Sequence, residues 1–198
     1  MTHHRRLWRM LALTATGTLV LLLSLPATGS AAPPQPKPSM SGESFDGVPT
    51  VTFACDPMTT STISYSVTGT ATGPYPGTFT ETGTATLGPQ GIWKDPNNAN
   101  APGDVTAFSA TFTIQTVSGV KVMGSKQLEP PGLLSNNQGF CDQNGIQSFG
   151  AQSSYSATIK SKGPSCTDTG DANTAVNAGI TYPVAQFDES FSTNHPLC

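Results

Sequence analysis

The chain has 198 residues, with nine basic and twelve acidic side chains, a net charge of −3 and only 11% charged residues. Arg5, Arg6 and Arg9 are its only arginines; beyond them the balance falls to −6. An acidic body without arginine is a poor counterpart for nucleic-acid phosphates or an anionic bilayer, so no nucleic-acid partner is expected.

Residues 1–9 are basic, residues 10–25 are apolar with LVLLLSL at their centre, and small residues follow up to Gly29-Ser30-Ala31-Ala32. That order is a secretory signal peptide over 1–32, cut near Ala31 or Ala32. The apolar run is short against the roughly 20 residues a spanning helix needs, so no stable membrane span is expected after cleavage. His4-Arg5-Arg6-Leu7-Trp8 loosely resembles a twin-arginine export signal, but the very apolar run suits the general secretory route. Leu25-Pro26-Ala27-Thr28-Gly29 has the letters of a sortase signal at the wrong end of the chain. Residues 33–46, opening with PPQPKPSMS, read as an extended Pro-rich linker. A single domain over 47–198 follows, long enough for its own core.

Residues 48–55 read as a short strand. Residues 61–88 then form the most regular pattern in the chain. Ile63, Tyr65, Val67, Gly69 and Ala71 alternate with Thr62, Ser64, Ser66, Thr68, Thr70 and Thr72. After Gly73-Pro74-Tyr75-Pro76-Gly77 come Phe79, Glu81, Gly83, Ala85 and Leu87, alternating with Thr78, Thr80, Thr82, Thr84 and Thr86. A period of two with a Pro/Gly break is a β-hairpin with one apolar and one hydroxyl face. With the turn centred on Tyr75, the pairs are Ile63–Leu87, Tyr65–Ala85, Val67–Gly83, Gly69–Glu81 and Ala71–Phe79.

Lys94 to Asp104 is an Asn/Pro/Gly loop, and 104–117 is a strand with Phe108, Ala110, Phe112 and Ile114 on one face. Ser118-Gly119 turns the chain into Val120, Val122 and Met123. Residues 129–145 look turn-rich. Residues 153–162 alternate again, with Tyr155, Ala157 and Ile159 inward. Residues 165–179 read as a polar loop with one helical turn capped by Asp171. The last strand is 182–192, with Phe187, Glu189 and Phe191 on one side. The fold class is therefore all-β: an antiparallel β-sandwich or small β-barrel.

Cys55, Cys141, Cys166 and Cys198 imply two disulfides in an exported chain. Pairing 153–162 with 182–192 as a hairpin favours Cys141–Cys198, which leaves Cys55–Cys166. No CxxC spacing suggests zinc, and no metal or cofactor is expected.

Glu81 and Glu189 each follow a phenylalanine by two and so point toward the core. Two carboxylates facing one cavity are candidates for general acid and base in sugar hydrolysis; the plainer reading is that each sits at a sheet end or bonds to a Tyr or Lys. Asp168-Thr169-Gly170 has the letters of an aspartic-protease motif without its surroundings. Ser118-Gly119-Val120-Lys121 fits S-x-x-K but sits in a turn. His195, the only imidazole beyond the leader, lies in the tail. Asp95, Asn97, Asn98, Asn100 and Asp104 could ligate calcium but suit turns better.

The hairpin's eleven hydroxyls stand in two rows, repeating about every 6.8 Å along a strand and about 4.8 Å between strands. Thr68, Thr70, Thr80 and Thr82, with Tyr75 at the tip, are the candidate binding residues for a polysaccharide or other cell-envelope polymer. Trp93 and Tyr182 are less well placed stacking aromatics. Water ordering, by analogy with Thr ladders in ice-binding proteins, is a further reading, and a plain solvated face is the simplest.

The stretch GTATGPYPGTFTETGTATLG, residues 69–88, resembles one in uncharacterised secreted bacterial β-rich proteins. The resemblance carries no function. The expectation is a secreted, non-enzymatic binding or adhesion module; the rival is a small hydrolase using Glu81 and Glu189.

Overall fold

The computed structural model describes residues 39–129, 137–143, 147–178 and 185–196. The expected leader, Tyr182 and Cys198 lie outside them. Nine strands follow in order: β1 Ser44–Ala54, β2 Ser61–Thr72, β3 Gly77–Leu87, β4 Gly103–Thr116, β5 Lys121–Leu128, β6 Gln138–Cys141, β7 Gln147–Lys160, β8 Cys166–Asn177 and β9 Gln186–Pro196.

Every pairing is antiparallel, and all but β1–β9, β4–β6 and β5–β7 join chain neighbours. The ring closes where β9 meets β1, from Ser44↔Ser190 to Gly47↔Phe187. β5 and β6 share one position: β5 lies between the upper parts of β4 and β7, and β6 between their lower parts. The result is an eight-position, up-and-down β-barrel, the size at which side chains just fill the interior. Of the two architectures expected, the barrel is the one formed.

Period two builds the wall. Ile63, Tyr65, Val67, Ala71, Phe79, Ala85 and Leu87 are buried, and Thr68, Thr70, Thr80 and Thr82 face out. Phe45 stacks on Phe79 with centroids 4.3 Å apart and meets Phe191 edge-on at 4.9 Å. Such a core is the inverse of a lipid-facing barrel, whose outer band is apolar.

Four expectations are corrected. The hairpin register slips by two: Ile63 pairs with Ala85, Tyr65 with Gly83, Val67 with Glu81 and Gly69 with Phe79. The inward face is unchanged because a two-residue shift preserves parity. Glycine decides the register, since Tyr65 opposite Gly83 leaves room for the ring. Second, residues 165–179 are not a loop with an Asp171-capped turn but mainly strand β8, paired with β7 from Ser148↔Asn177 to Ile159↔Cys166. Third, β8 therefore separates β7 from β9, which removes the hairpin on which the cysteine pairing rested. Cys55 is bonded to Cys141, in place of Cys55–Cys166 and Cys141–Cys198. Cys166 is disulfide-bonded as well, to a partner outside the described residues. Fourth, the packed domain begins before residue 47: Met40, Glu43 and Phe45 are buried, so part of the expected linker belongs to the fold.

The two barrel ends are closed differently. At the lower end the Cys55–Cys141 bond and Gln90 hold three segments together. Gln90 Nε2 donates to Ser61 Oγ (3.0 Å), and Cys141 N donates to Gln90 Oε1 (2.8 Å). At the upper end residues 39–43 fold inward, with Gly42 N donating to Phe191 O and Phe191 N to Glu43 O.

Candidate functional site

Three strands each send one charged side chain into the middle of the barrel. On β3, the parity that buries Phe79 also buries Glu81, opposite Val67 and Phe112. On β5, Val122, Gly124 and Lys126 share the inward face, and Lys126 lies opposite Ala110 and Tyr155. On β9, Glu189 stands between Phe45 and Thr174. The side chains of Lys126, Glu81 and Glu189 are all 0% exposed.

Lys126 Nζ donates to both oxygens of Glu81 at 2.7 Å and to Glu189 Oε1. Tyr65 OH donates to Glu81 Oε1 at 2.5 Å. Thr174 Oγ1 donates to Glu189 Oε1. Glu189 Oε2 is buried without a partner among the described residues. The rings of Phe108, Phe112 and Phe191 surround the ammonium at 5.8, 5.8 and 5.9 Å, within cation–π range.

Two glycines shape this nest. A Cβ on Gly83 would lie 2.5 Å from the Tyr65 hydroxyl oxygen, and one on Gly124 would lie 2.5 Å from Phe112 Cε1. Bare backbone there lets Tyr65 reach diagonally to Glu81 and lets the Phe112 ring lie against Lys126.

Burial pushes the Glu189 carboxyl up to about 8; the Glu81 charge adds to this, and Lys126 and Thr174 offset part of it. Burial thus favours the neutral acid at Glu189. Burial, with Glu81 beside it, holds the Tyr65 phenol far above its ordinary range, so it remains a donor.

The two carboxylates expected from sequence are thus brought together. Hydrogen bonds to one shared nitrogen hold their oxygens within roughly 6 Å. Neither side chain is exposed to solvent, although Thr174 and Glu189 also border a surface depression of about 730 Å³ over β1, β9, β8 and β7. Of the plainer alternatives, neither sits at a sheet end: Glu81 bonds to Tyr65 and Lys126, and Glu189 to Lys126 and Thr174. Sequence reasoning missed Lys126, although the alternation from Val122 pointed it inward. It also missed Thr174, which lies on the strand read as a loop.

A second acidic cluster closes the upper end. Asp168 Oδ2 accepts from Met40 N (2.6 Å), Tyr155 OH (2.9 Å) and Thr193 Oγ1 (2.9 Å). Glu43 Oε2 accepts from Tyr75 N at 2.7 Å, while burial raises its carboxyl to about 7. Asp168 Oδ1 and Glu43 Oε1 are buried without partners among the described residues. Asp168-Thr169-Gly170 is strand, not a protease loop.

The outer wall carries the other candidates. Ser64, Thr82, Thr84, Ser109, Thr111 and Ser125 contribute to a shallow depression of about 440 Å³ over β2–β5. Thr82 and Thr111 hydroxyls pair at 3.3 Å. Tyr75 is half-buried against the core, so the hairpin tip offers less stacking surface than expected. Trp93 is 54% exposed. Its loop is fixed to the foot of β4 by Lys94 Nζ, which pairs with Asp104 at 2.6 Å. The neighbouring Asp95 and Asn98 side chains accept through Oδ1 from Asn97 N and Asn100 N at 3.0 Å, a turn-forming use of these side chains. Ser118 shares a hydrogen bond with Thr116 inside its tight turn. Among the described residues no cluster of three or more His, Cys, Asp or Glu is arranged to hold a metal ion.

Compared with known proteins, the chain matches no family model, no curated protein and no solved structure.

Proposed function

We propose that this protein is an exported, non-enzymatic binding module whose outer wall takes a neutral, hydroxyl-rich polymer such as a polysaccharide. The observation that carries this reading is the depression over β2–β5, where six serine and threonine side chains stand together with the Gln127 amide and the bare backbone of Gly83. Such a surface can exchange hydrogen bonds with sugar hydroxyls and offers nothing to a charged ligand. Trp93 stands exposed on a loop at the lower end of the same wall, where a ring suits stacking against a pyranose face. The Glu81 and Glu189 side chains are 0% exposed, which argues against hydrolysis of an external glycosidic bond. Barrel twist argues against an ice-ordering role, which calls for a flat array.

The test is binding of the leaderless protein to a glycan array and to insoluble neutral polysaccharides. Thr82→Glu and Trp93→Ala are each expected to weaken binding at least tenfold while leaving the melting temperature near that of the parent. Absence of binding to every neutral polymer, or binding indifferent to both substitutions, would overturn the reading.

A further inference from the structure

Lys126 is the only primary amine among the described residues that is sealed in the core, and it touches two carboxyl groups with different tasks open to them. We propose that Lys126 and Glu189 condense into an intramolecular isopeptide bond, with Glu81 as the proton carrier, so that β5 and β9 are covalently joined across the barrel interior.

The geometry supplies each part. Lys126 Nζ contacts Glu189 Oε1, while both Glu81 oxygens sit 2.7 Å from the same nitrogen. Thr174 Oγ1 also donates to Glu189 Oε1. Oε1 is thus the polarised carbonyl oxygen of the neutral acid, and the unpartnered Oε2 is the hydroxyl that leaves. Three phenylalanine rings keep the site dry. Tyr65 steadies Glu81 through either protonation state of that carboxyl.

The step balances. The lysine ammonium gives one proton to the Glu81 carboxylate, leaving a free amine. Its lone pair attacks Glu189 Cδ, and the C–N bond forms. The Cδ–Oε2 bond then breaks; the departing hydroxyl takes a proton from Glu81 and leaves as water. The nitrogen sheds its remaining surplus proton to Glu81, which ends as a neutral acid. Nothing is oxidised or reduced, and no co-reactant enters. Charge is zero before and after, but the buried ion pair has become a neutral amide, which removes the desolvation cost of holding two ions in the core. Free amines and acids do not condense in water at useful rates. Fixed neighbours reach effective molarities on the order of 10⁵–10⁸ M.

The bond is read by mass. The full exported chain, reduced and denatured, is weighed intact, then digested. The wild type is expected one water lighter than calculated from its sequence, with one branched fragment joining the Lys126 and Glu189 peptides. Lys126→Met is expected at its calculated mass, and Glu81→Gln is expected to remain largely unjoined. A wild-type chain at the calculated mass overturns the proposal, as does a missing water that Lys126→Met retains. The wild-type mass is decisive by itself, so a variant that fails to fold does not weaken the test.

Discussion

Glu43 is an acid placed where ionisation is costly. It is 1% exposed, one oxygen has no partner among the described residues, and burial raises it from 4.5 to about 7. The folded state therefore keeps a proton that the unfolded chain releases. Stability from this group is fully present below about 4.5 and is lost as pH rises through about 7. Urea midpoints are expected to fall across that window. Glu43→Gln cannot ionise and should flatten this part of the profile, leaving the variant more stable than the parent at pH 8 by about 1–3 kcal/mol. A parent profile that rises between pH 5 and pH 8 and follows the variant would mean that Glu43 is ionised in the fold.

At the scale of the strand, alternation alone made most of the barrel legible. It places Tyr65, Val67, Phe79, Phe108, Phe112, Tyr155 and Phe191 inside, because one buried and one wet face is what a period of two means. β8 was hidden because its inward residues are Asp168, Gly170, Ala172, Thr174 and Val176, mostly small or polar, so neither face looked like a core. They suit that position because large rings from other strands fill the middle and because Asp168 has three donors waiting. β6 was hidden by its length of four residues. The candidate acids were legible from parity, but their cation was not. A lysine on a strand ordinarily marks the wet face, and only the register of Val122 spoke against that. The glycines carry a strand-level prediction. Gly83→Ala would drive a methyl group into the Tyr65 ring, displace the hydroxyl from Glu81 and disturb the β2–β3 register. A loss of about 1–3 kcal/mol is expected from overpacking, more than for Gly163→Ala in the exposed β7–β8 turn, where an added Cβ meets nothing closer than 3.8 Å. Parallel urea titrations of the two variants decide it; equal losses would mean that the ring simply moves aside.

For the whole molecule, the lower end is where the barrel depends on covalent closure. Cys55 follows β1 and Cys141 ends β6, 86 residues apart, and neither strand pairs with the other. The bond therefore spans the mouth rather than reinforcing a ladder. Gln90 works from beneath, joining Ser61 at the start of β2 to the Cys141 backbone. Upper-end closure is of another kind, built from the Met40 and Asp168 contacts and needing no sulfur from β1 or β6. Replacing both Cys55 and Cys141 by serine is expected to cost about 2–5 kcal/mol. In a domain of this size that lowers the melting temperature by about 5–15 °C. The loss should be local before it is global. Amides of β6 and of the turn Gly91–Trp93 should exchange with deuterium markedly faster in the double variant, while those of β8 beside Asp168 keep nearly their original rates. Uniform acceleration over the barrel would show that the two ends are one cooperative unit. Loss confined to the lower end would leave the upper plug as an independent closure, able to hold the Lys126 nest dry with the opposite mouth loosened.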